Sequence, residues 1–247
     1  MTREAFIAEV TRDTPETPIY YLHSRDTNKA GPRLDAERPM PPMVSAPDAA
    51  ARAKGGAVVL DTRLAGDFGA AHAAGSLNVP LDGQFASWVG TLVPPDQEIV
   101  LIADRDRIEE AVMRLARVGY ENVVGVLEGG VEAWRAAGLP IGSTAQVQAA
   151  SLAGSGRRVL DVRRAREWED GHLPGATHIP LAELPKRAGE LDQQADWAVI
   201  CASGYRSSIA TSVLERAGLA RVANVVGGMA AYQAAGLPVE SGATSKA

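Results

Sequence analysis

The stretch Val159-Leu160-Asp161-Val162-Arg163 decides the fold, because almost the same stretch, Val59-Leu60-Asp61-Thr62-Arg63, occurs 100 residues earlier. A period of this length is too long for a solenoid repeat and suits a small domain. Further matches follow in the same order with small slips in register: His72 and Gly75 with His172 and Gly175, Val79-Pro80-Leu81 with Ile179-Pro180-Leu181, Gly129–Trp134 with Gly227–Tyr232, and Ala137–Pro140 with Ala235–Pro238. The sequence therefore predicts two homologous domains.

The repeat also indicates where the domains begin and end. We expect the first domain at residues 46–142 and the second at residues 146–242, joined by the short connector Gly142-Ser143-Thr144-Ala145. Residues 24–48 are rich in proline and charge, a composition typical of a linker. Residues 1–45 are therefore predicted to form an N-terminal arm.

Short apolar runs alternate with helical patterns in each repeat. This order predicts the α/β class, with a parallel sheet flanked by helices on both faces in each domain. The predicted strands cover residues 57–60, 98–103 and 123–127 in the first repeat, and 158–160, 197–200 and 222–226 in the second; the predicted long helices cover 108–118 and 207–217.

Composition narrows the classes of function. The chain has 25 basic and 30 acidic residues and a formal net charge of −5, with no long basic run. Nucleic acids and anionic membranes need a concentrated basic face, so neither is expected as a partner. The polar start, Met1-Thr2-Arg3-Glu4, lacks the apolar core of a signal peptide, and no apolar stretch is long enough to span a bilayer. We expect a cytoplasmic protein.

Cysteine usage is more informative, because Cys201 is the single cysteine of the chain. An intrachain disulfide is impossible, and zinc sites built from several thiolates are excluded. Cys201 follows the apolar run Ala198-Val199-Ile200, and a helical pattern starts near Ser207-Ser208. A cysteine at the carboxyl end of a parallel strand lies where open α/β sheets bind their ligands.

The residues after Cys201 suit an anionic sulfur. Backbone N–H groups and the dipole at a helix N-terminus stabilise a thiolate, which is the reactive form of cysteine. Gly204 allows the loop to curl so that its N–H groups point inward, and Arg206 adds a permanent positive charge. The alternative is a buried, inert cysteine that acts as a small hydrophobe. The combination of loop, glycine, arginine and helix start favours the reactive site.

These motifs together resemble the rhodanese domain. The resemblance is carried by Asp161-Val162-Arg163, by Gly171-His172-Leu173-Pro174-Gly175-Ala176 with Ile179-Pro180, by Cys201-Ala202-Ser203-Gly204-Tyr205-Arg206-Ser207, and by Gly227-Gly228. It implies a sulfurtransferase that moves a sulfane sulfur from thiosulfate or a persulfide to a thiol or another thiophilic acceptor. It also implies that Cys201 forms the persulfide, without a cofactor or metal.

The resemblance further implies roles for the residues around Cys201. Arg206 is expected to be catalytic with Cys201, and the remaining loop residues, Ala202, Ser203, Gly204, Tyr205 and Ser207, are expected to bind the substrate. Asp161, Arg163 and His172 match family positions that support the architecture. Tyr205 is expected either at the mouth of the pocket or against the neighbouring domain.

Two other functions remain open at this point. One is a module that carries sulfur or senses redox state without efficient turnover. The other is a phosphatase-like hydrolase, as in the related dual-specificity phosphatases, which have one more residue between cysteine and arginine. Four residues separate Cys201 from Arg206, a shorter loop that suits a sulfur-sized ligand better than a phosphate.

The first repeat departs from the pattern at the loop. Aligning the two helices places Arg107 against Arg206 and Ile102 against Cys201, and Ala103-Asp104-Arg105-Asp106 contains neither cysteine nor glycine. Without a thiol no persulfide can form. The first domain is therefore predicted to be catalytically inactive and to support the second domain or shape the entrance to its cleft.

The N-terminal arm carries a second resemblance. Phe6, Ile7, Pro15, Pro18-Ile19-Tyr20-Tyr21 and Asn28 resemble the C-terminal edge of a metallo-β-lactamase-fold domain, as found in persulfide dioxygenase-like fusion proteins that contain paired rhodanese domains. This resemblance implies a dioxygenase of that fold as a fused domain or a partner. His23 is the single histidine of the arm, and one histidine is not a metal site. The alternative is an extended arm that packs on the domains.

Overall fold

The structure is a computed structural model that describes residues 1–11, 20–21, 25–26, 29, 31 and 39–242. Helix α1 (Arg3–Thr11) lies in the arm and buries no residue. The first domain contains β1 (Met43–Val44), α2 (Ala46–Lys54), β2 (Val58–Asp61), α3 (Ala65–Ala70), β3 (His72–Ala73), β4 (Leu77–Asn78), α4 (Phe85–Leu92), β5 (Ile99–Ile102), a 3-10 turn (Arg105–Arg107), α5 (Ile108–Ala116), β6 (Val123–Leu127), α6 (Gly130–Ala136) and β7 (Ile141–Gly142).

The second domain follows a similar order of elements, with a single bridge between His172 and Glu240 in place of the antiparallel pair β3–β7 and a 3-10 turn in place of α2. It contains β8 (Ala145–Gln148), a 3-10 turn (Ala149–Ser151), β9 (Arg158–Asp161), α7 (Ala165–Asp170), β10 (Thr177–His178), α8 (Leu184–Arg187), a 3-10 turn (Ala188–Glu190), β11 (Trp197–Ile200), α9 (Tyr205–Arg216), β12 (Val222–Val226) and α10 (Gly228–Ala234).

Each domain has a five-stranded parallel sheet. The strand orders are β1-β6-β5-β2-β4 in the first domain and β8-β12-β11-β9-β10 in the second, so corresponding strands occupy corresponding places. Their apolar runs are buried because helices flank the sheets, as expected for parallel sheets. The predicted α/β class and the two homologous domains are confirmed.

The register of the central strands gives an exact equivalence between the repeats. Asp61 lies opposite Ile102 in the β2–β5 pair, and Asp161 lies opposite Ile200 in the β9–β11 pair. Ile102 is therefore the counterpart of Ile200. The helix-based alignment, which placed Ile102 against Cys201, was wrong, because four residues lie between Ile102 and Arg107 in the first domain and five lie between Ile200 and Arg206 in the second.

Helix α9 lies between the two domains, which explains its unusual composition. All residues from Ser207 to Leu214 are buried, although four of these eight are serine or threonine. The hydroxyl of Ser208 donates to Asn78 Oδ1 at 2.6 Å, and the backbone N–H of Asn78 donates to Ser212 Oγ at 3.0 Å. Serines on this face replace the polar surface of an ordinary amphipathic helix, because a domain covers it instead of water.

Other contacts extend this interface. One cluster of buried apolar residues includes Leu60 and Leu101 of the first domain and Leu160 and Val199 of the second. The ring of His72 lies beside the Glu215 carboxylate on α9, with 3.1 Å between Nε2 and Oε2. The two domains therefore share one core.

One described residue of the arm, Tyr20, packs against the shared core, as expected for an arm that lies on the domains. Phe6 and Ile7 are exposed on α1, with 57% and 47% of their surface accessible. Pro15, Pro18, Ile19, His23 and Asn28 lie outside the described residues. In the described part of the chain, none of the helices has the length and apolar character needed to cross a membrane.

Candidate active site

Cys201 lies directly after β11, with 1% of its surface exposed. The backbone N–H of Gly204 donates to Cys201 Sγ at 3.1 Å. Gly204 is also the N-cap of α9, with a φ of +98° that other residues rarely adopt. This conformation starts the helix at Tyr205, two residues before the predicted start, and brings the sulfur against the helix N-terminus.

The last helix holds the other side of the loop. The backbone N–H groups of Met229 and Ala230, in the first turn of α10, donate to the carbonyls of Cys201 at 2.7 Å and of Ala202 at 3.1 Å. A Cβ at Gly228 would lie 2.3 Å from the Cys201 carbonyl oxygen. The carbonyls of the loop are thus turned towards α10, and only glycine fits at this contact.

Ser207 lies beneath the sulfur and is completely buried. Its Oγ lies 3.4 Å from Cys201 Sγ and 2.6 Å from Oδ1 of Asn224 on β12. Ser207 faces the interior and is not among the residues that line the cleft described below, so its expected contact with the incoming substrate stays a prediction. Its side chain contacts the sulfur of Cys201.

Arg206 is not the free cation that the sequence suggested. Its guanidinium donates to both carboxylate oxygens of Glu167, at 2.7 and 2.6 Å. This hydrogen bonding holds the pKa of Glu167 below its ordinary value despite partial burial. Burial alone would lower the pKa of Arg206, but Glu167 outweighs burial and the pKa is raised. The pair is close to neutral and lies at the edge of the Cys201 loop.

A cleft of about 550 Å³ opens over the loop between the two domains. Its walls come from both domains: Asp82, Gly83, Gln84 and Trp88 from the first, and Arg164, Glu167, Ser203, Tyr205 and Arg206 from the second. Tyr205 joins the walls, because its hydroxyl donates to the carbonyl of Pro80 at 2.9 Å. Both expectations for Tyr205 are met, since it lines the cleft and contacts the first domain.

The three predicted support residues lie behind the loop. The Arg163 guanidinium donates to both oxygens of Asp161 at 2.6 to 3.0 Å and to the carbonyl of Gly171 at 2.7 Å. The ring of His172 stacks on Trp168 with 3.6 Å between the ring centroids. Asp161 is fully buried, so this pairing ties the end of β9 to the segment that contains His172.

The first domain has apolar residues at the positions that correspond to Cys201, Asn224 and Ser207. Strand register puts Ala103 at the position of Cys201 and Val126 at the position of Asn224. Ile108 directly follows Arg107, as Ser207 directly follows Arg206, and so corresponds to Ser207. Arg107 pairs with Asp82 and Glu110 at 2.7 and 2.8 Å.

Sequence reasoning missed three residues of the site. Glu167 could have been found from the acidic residue at the same place in the first repeat, Asp67, but its contact with Arg206 spans 39 positions. No sequence motif pointed to Asn224 or Trp88 as site residues. Asn224 is a single polar residue within an apolar strand, and Trp88 lies in the other domain. In the described ranges, no group of three or more His, Cys, Asp or Glu side chains could hold a metal ion.

Comparisons with known proteins identify relatives of parts of this chain. The chain is 46% identical over 71 residues to YrkF of Bacillus subtilis, covering 29% of this chain and 38% of that protein. It is 35% identical over 99 residues to Thiosulfate sulfurtransferase 16 of Arabidopsis thaliana, covering 35% of this chain and 82% of the plant protein. The solved structure of Thiosulfate sulfurtransferase from Pseudomonas aeruginosa is 27% identical, with a TM-score of 0.38, and the match covers 82% of this chain and 44% of that one.

A family model gives the broadest match. The model of the rhodanese-like domain matches residues 45–137 and again residues 144–235. The two matches together cover most of the chain and correspond to the two sheets described above. This chain therefore belongs to the rhodanese-like domain family, with two copies of the domain in tandem.

Proposed function

We propose that this protein is a sulfurtransferase that moves a sulfane sulfur from thiosulfate or a persulfide to a thiophilic acceptor. The observation that carries the proposal is the hydrogen bond from the Gly204 backbone to Cys201 Sγ at the N-terminus of α9. Family membership and the name of the plant relative support the same reaction class. The sulfur is carried by the single cysteine of the chain.

The first half-reaction loads the cysteine. The Cys201 thiolate attacks the sulfane sulfur of the donor, a new S–S bond forms, and the bond between the sulfane sulfur and its carrier breaks. The carrier leaves with the electron pair, as sulfite from thiosulfate or as a thiolate from an organic persulfide. The helix N-terminus stabilises the negative charge on both the thiolate and the persulfide.

The second half-reaction returns the enzyme to its starting state. A nucleophilic acceptor attacks the outer sulfur of the persulfide, and the bond to Cys201 Sγ breaks with its electron pair on the cysteine. Cyanide would leave as thiocyanate, and a thiol would leave as a persulfide. The Gly204 N–H, already directed at the sulfur, stabilises the released thiolate without reorganisation.

The Arg206–Glu167 pair sets the charge at the entrance. An anionic donor that uses Arg206 must compete with a carboxylate held at 2.6 Å. A dianionic phosphate would also meet the Glu167 charge at close range, which weighs against the phosphatase alternative. The cleft is large for an inorganic donor and falls in the ordinary size range of sites for organic molecules, which favours an organic persulfide or thiol as one substrate.

The carrier hypothesis is favoured by the name of the relative YrkF, which describes a sulfur carrier protein, and by one observation of the structure. Cys201 is 1% exposed, so an acceptor must reach a sulfur that lies beneath the loop. Slow turnover with small acceptors and fast transfer to a protein would fit that arrangement. A turnover assay distinguishes the two hypotheses.

The decisive experiment measures thiocyanate formed from thiosulfate and cyanide by the unaltered protein and by Cys201→Ser. The same assay is repeated with glutathione persulfide as donor. We expect activity that the substitution abolishes, and the ratio of the two donors indicates the preferred substrate class. A folded protein without turnover on either donor would overturn the proposal in favour of the carrier function.

A further inference from the structure

A chain of hydrogen bonds leads from the reactive sulfur to the surface of the second domain. Ser207 Oγ lies 2.6 Å from Asn224 Oδ1, and Asn224 Nδ2 donates to Gln146 Oε1 at 2.8 Å. Gln146 Nε2 in turn donates to the backbone carbonyl of Thr144 at 3.2 Å. Ser207 and Asn224 are buried, so water does not replace these bonds.

The donor and the acceptor of each of these hydrogen bonds follow from the last group in the series, the carbonyl of Thr144. The carbonyl of Thr144 can only accept, so Gln146 must present its NH₂ group to Thr144 and its oxygen to Asn224. Asn224 must then present its NH₂ group to Gln146 and its oxygen to Ser207. Turning either amide over would bring two donors or two acceptors face to face.

This order determines where the Ser207 hydrogen points. A hydroxyl has one hydrogen, and it cannot serve both Asn224 Oδ1 at 2.6 Å and Cys201 Sγ at 3.4 Å. The hydrogen is donated to Asn224 Oδ1, because this contact is the shorter one and an amide oxygen can only accept. Ser207 therefore turns its lone pairs towards the sulfur, where they can accept a hydrogen bond from a thiol but cannot stabilise a thiolate.

The charged groups near Cys201 are few, and they are held in ion pairs. The strands β11 and β12 and helix α10 carry no charged residue. Arg206 and Asp161, the charged groups at the loop end of α9 and of β9, are held in ion pairs with Glu167 and Arg163. Two groups lie within hydrogen-bond distance of the sulfur and act in opposite directions: the Gly204 N–H favours an anion, and the lone pairs of Ser207 favour a thiol.

We propose that Asn224 is a positioning residue that holds the Ser207 hydroxyl hydrogen away from Cys201, so that the hydroxyl favours the thiol over the thiolate. When the sulfur becomes an anion, its proton passes to water and the hydroxyl turns from Asn224 to the sulfur. The catalytic meaning of this switch rests on the sulfur transfer proposed above, whereas the orientation itself does not. The first domain has Ile108 and Val126 at the positions of the serine and the asparagine, and these side chains form no hydrogen bonds.

The test is a thiol titration that needs no sulfur donor. Because Cys201 is the single cysteine, the ultraviolet absorbance of the thiolate against pH reports this one group. Asn224→Val removes the acceptor and frees the hydroxyl for the sulfur. We expect the midpoint of thiolate formation to fall by on the order of one pH unit, the equivalent of one hydrogen bond to the anion.

The control repeats the substitution without the hydroxyl. In a Ser207→Ala background, Asn224→Val is expected to leave the midpoint where Ser207→Ala alone puts it. An equal fall in that background would show that the hydroxyl is not the intermediary and would overturn the proposal. So would an unchanged or raised midpoint for Asn224→Val with Ser207 in place.

A second variant covers the case in which Asn224→Val does not fold. Gln146 is exposed, and Gln146→Ala removes the group that sets the direction of the Asn224 amide. The amide can then turn over and donate to Ser207, which releases the hydroxyl hydrogen to the sulfur. We expect a smaller fall of the midpoint in the same direction, and no fall or a rise contradicts the proposal. If the midpoint falls as expected but the unaltered protein transfers no sulfur from either donor, the proposed function fails and the orientation of Ser207 stands.

Discussion

The two domains keep the same framework but differ at the point where the second one places its sulfur. Both pair an aspartate with the arginine two residues later: Arg63 donates to Asp61 at 2.6 Å, and Arg163 donates to Asp161 at 2.6 Å. At the loop, however, Ala103 stands where the second domain has Cys201. The comparison shows that the framework and the reactive loop are separable, because the first domain keeps one without the other.

The largest expected effect is a complete loss of sulfur transfer that a cysteine placed in the first domain does not restore. Ala103→Cys in a Cys201→Ser background is expected to leave sulfur transfer at the level of Cys201→Ser alone. The first domain has one residue fewer between the strand end and its arginine, and none of these residues is glycine, so we expect no backbone N–H to be directed at the new sulfur. Thiocyanate formation from thiosulfate and cyanide is the measurement.

The control for this experiment is stability. Thermal unfolding of the double variant should match that of Cys201→Ser, which would show that the new thiol is accommodated. Recovery of activity would mean that a thiol alone suffices at this end of the sheet and that the loop geometry is dispensable.

A smaller effect is expected at the entrance of the cleft. Glu167→Gln keeps the shape of the side chain but releases the charge of Arg206, so an anionic donor no longer competes with a carboxylate. We expect the KM for thiosulfate to fall by roughly threefold to tenfold, in line with a partly exposed ion pair. Steady-state kinetics at constant ionic strength provide the measurement.

The matched control is Asp67→Asn, at the corresponding place in the first domain. Asp67 forms no ion pair with Arg107, which pairs with Asp82 and Glu110 instead. The kinetics of Asp67→Asn should equal those of the unaltered protein. An equal change in both variants would indicate a general charge effect rather than release of Arg206.

The same pair predicts a dependence of stability on pH. The folded-state pKa of Glu167 is lowered by Arg206, so the pair contributes stability above the ordinary value of 4.5 and loses it as the pH falls through the lower folded value. The difference in melting temperature between the unaltered protein and Glu167→Gln should therefore shrink below about pH 4. A difference that stays constant from neutral to acidic pH would contradict the ion pair.

The smallest effect is expected between the domains. Tyr205→Phe removes the hydroxyl that donates to the Pro80 carbonyl, and burial raises the pKa of Tyr205, so this hydroxyl stays protonated. We expect the free energy of unfolding to fall by about 1 kcal/mol, the usual worth of one such bond. Chemical denaturation measures this change.

Tyr232→Phe is the control within a single domain. Its hydroxyl donates to the carbonyl of Pro238 at 3.0 Å and lies away from the cleft. Both variants should lose a similar amount of stability, but only Tyr205→Phe should change the KM of the donor. A changed KM for Tyr232→Phe would mean that stability, not the cleft wall, controls substrate binding.

Local patterns were enough to predict much of the framework. The strands over 123–127, 197–200 and 222–226 lie where their apolar runs placed them, because burial on both faces of a parallel sheet leaves a continuous apolar signal. The start of α9 was placed two residues late. The positive φ of Gly204 decides that start, and the sequence does not reveal which conformation a glycine adopts.

The site was harder to predict because its contacts join distant parts of the chain. The Arg206–Glu167 pair spans 39 positions, and the Tyr205–Pro80 bond spans 125 and crosses between the domains. Periodicity reports which side of an element is buried, but not which element covers it. The equivalence of Ala103 and Cys201 likewise needed the strand register, because the one-residue difference lies between two well-matched elements.

The position of α9 between the two sheets has a consequence for hydrogen exchange. Amide protons in the middle of this helix are screened by one sheet on one side and by the first domain on the other, so no local opening exposes them to water. They should exchange only when the whole chain unfolds, together with the amides of β5 and β11. The helix that begins at the Cys201 loop would then belong to the slowest-exchanging part of the protein, in contrast to sites whose functional groups lie on mobile surface loops.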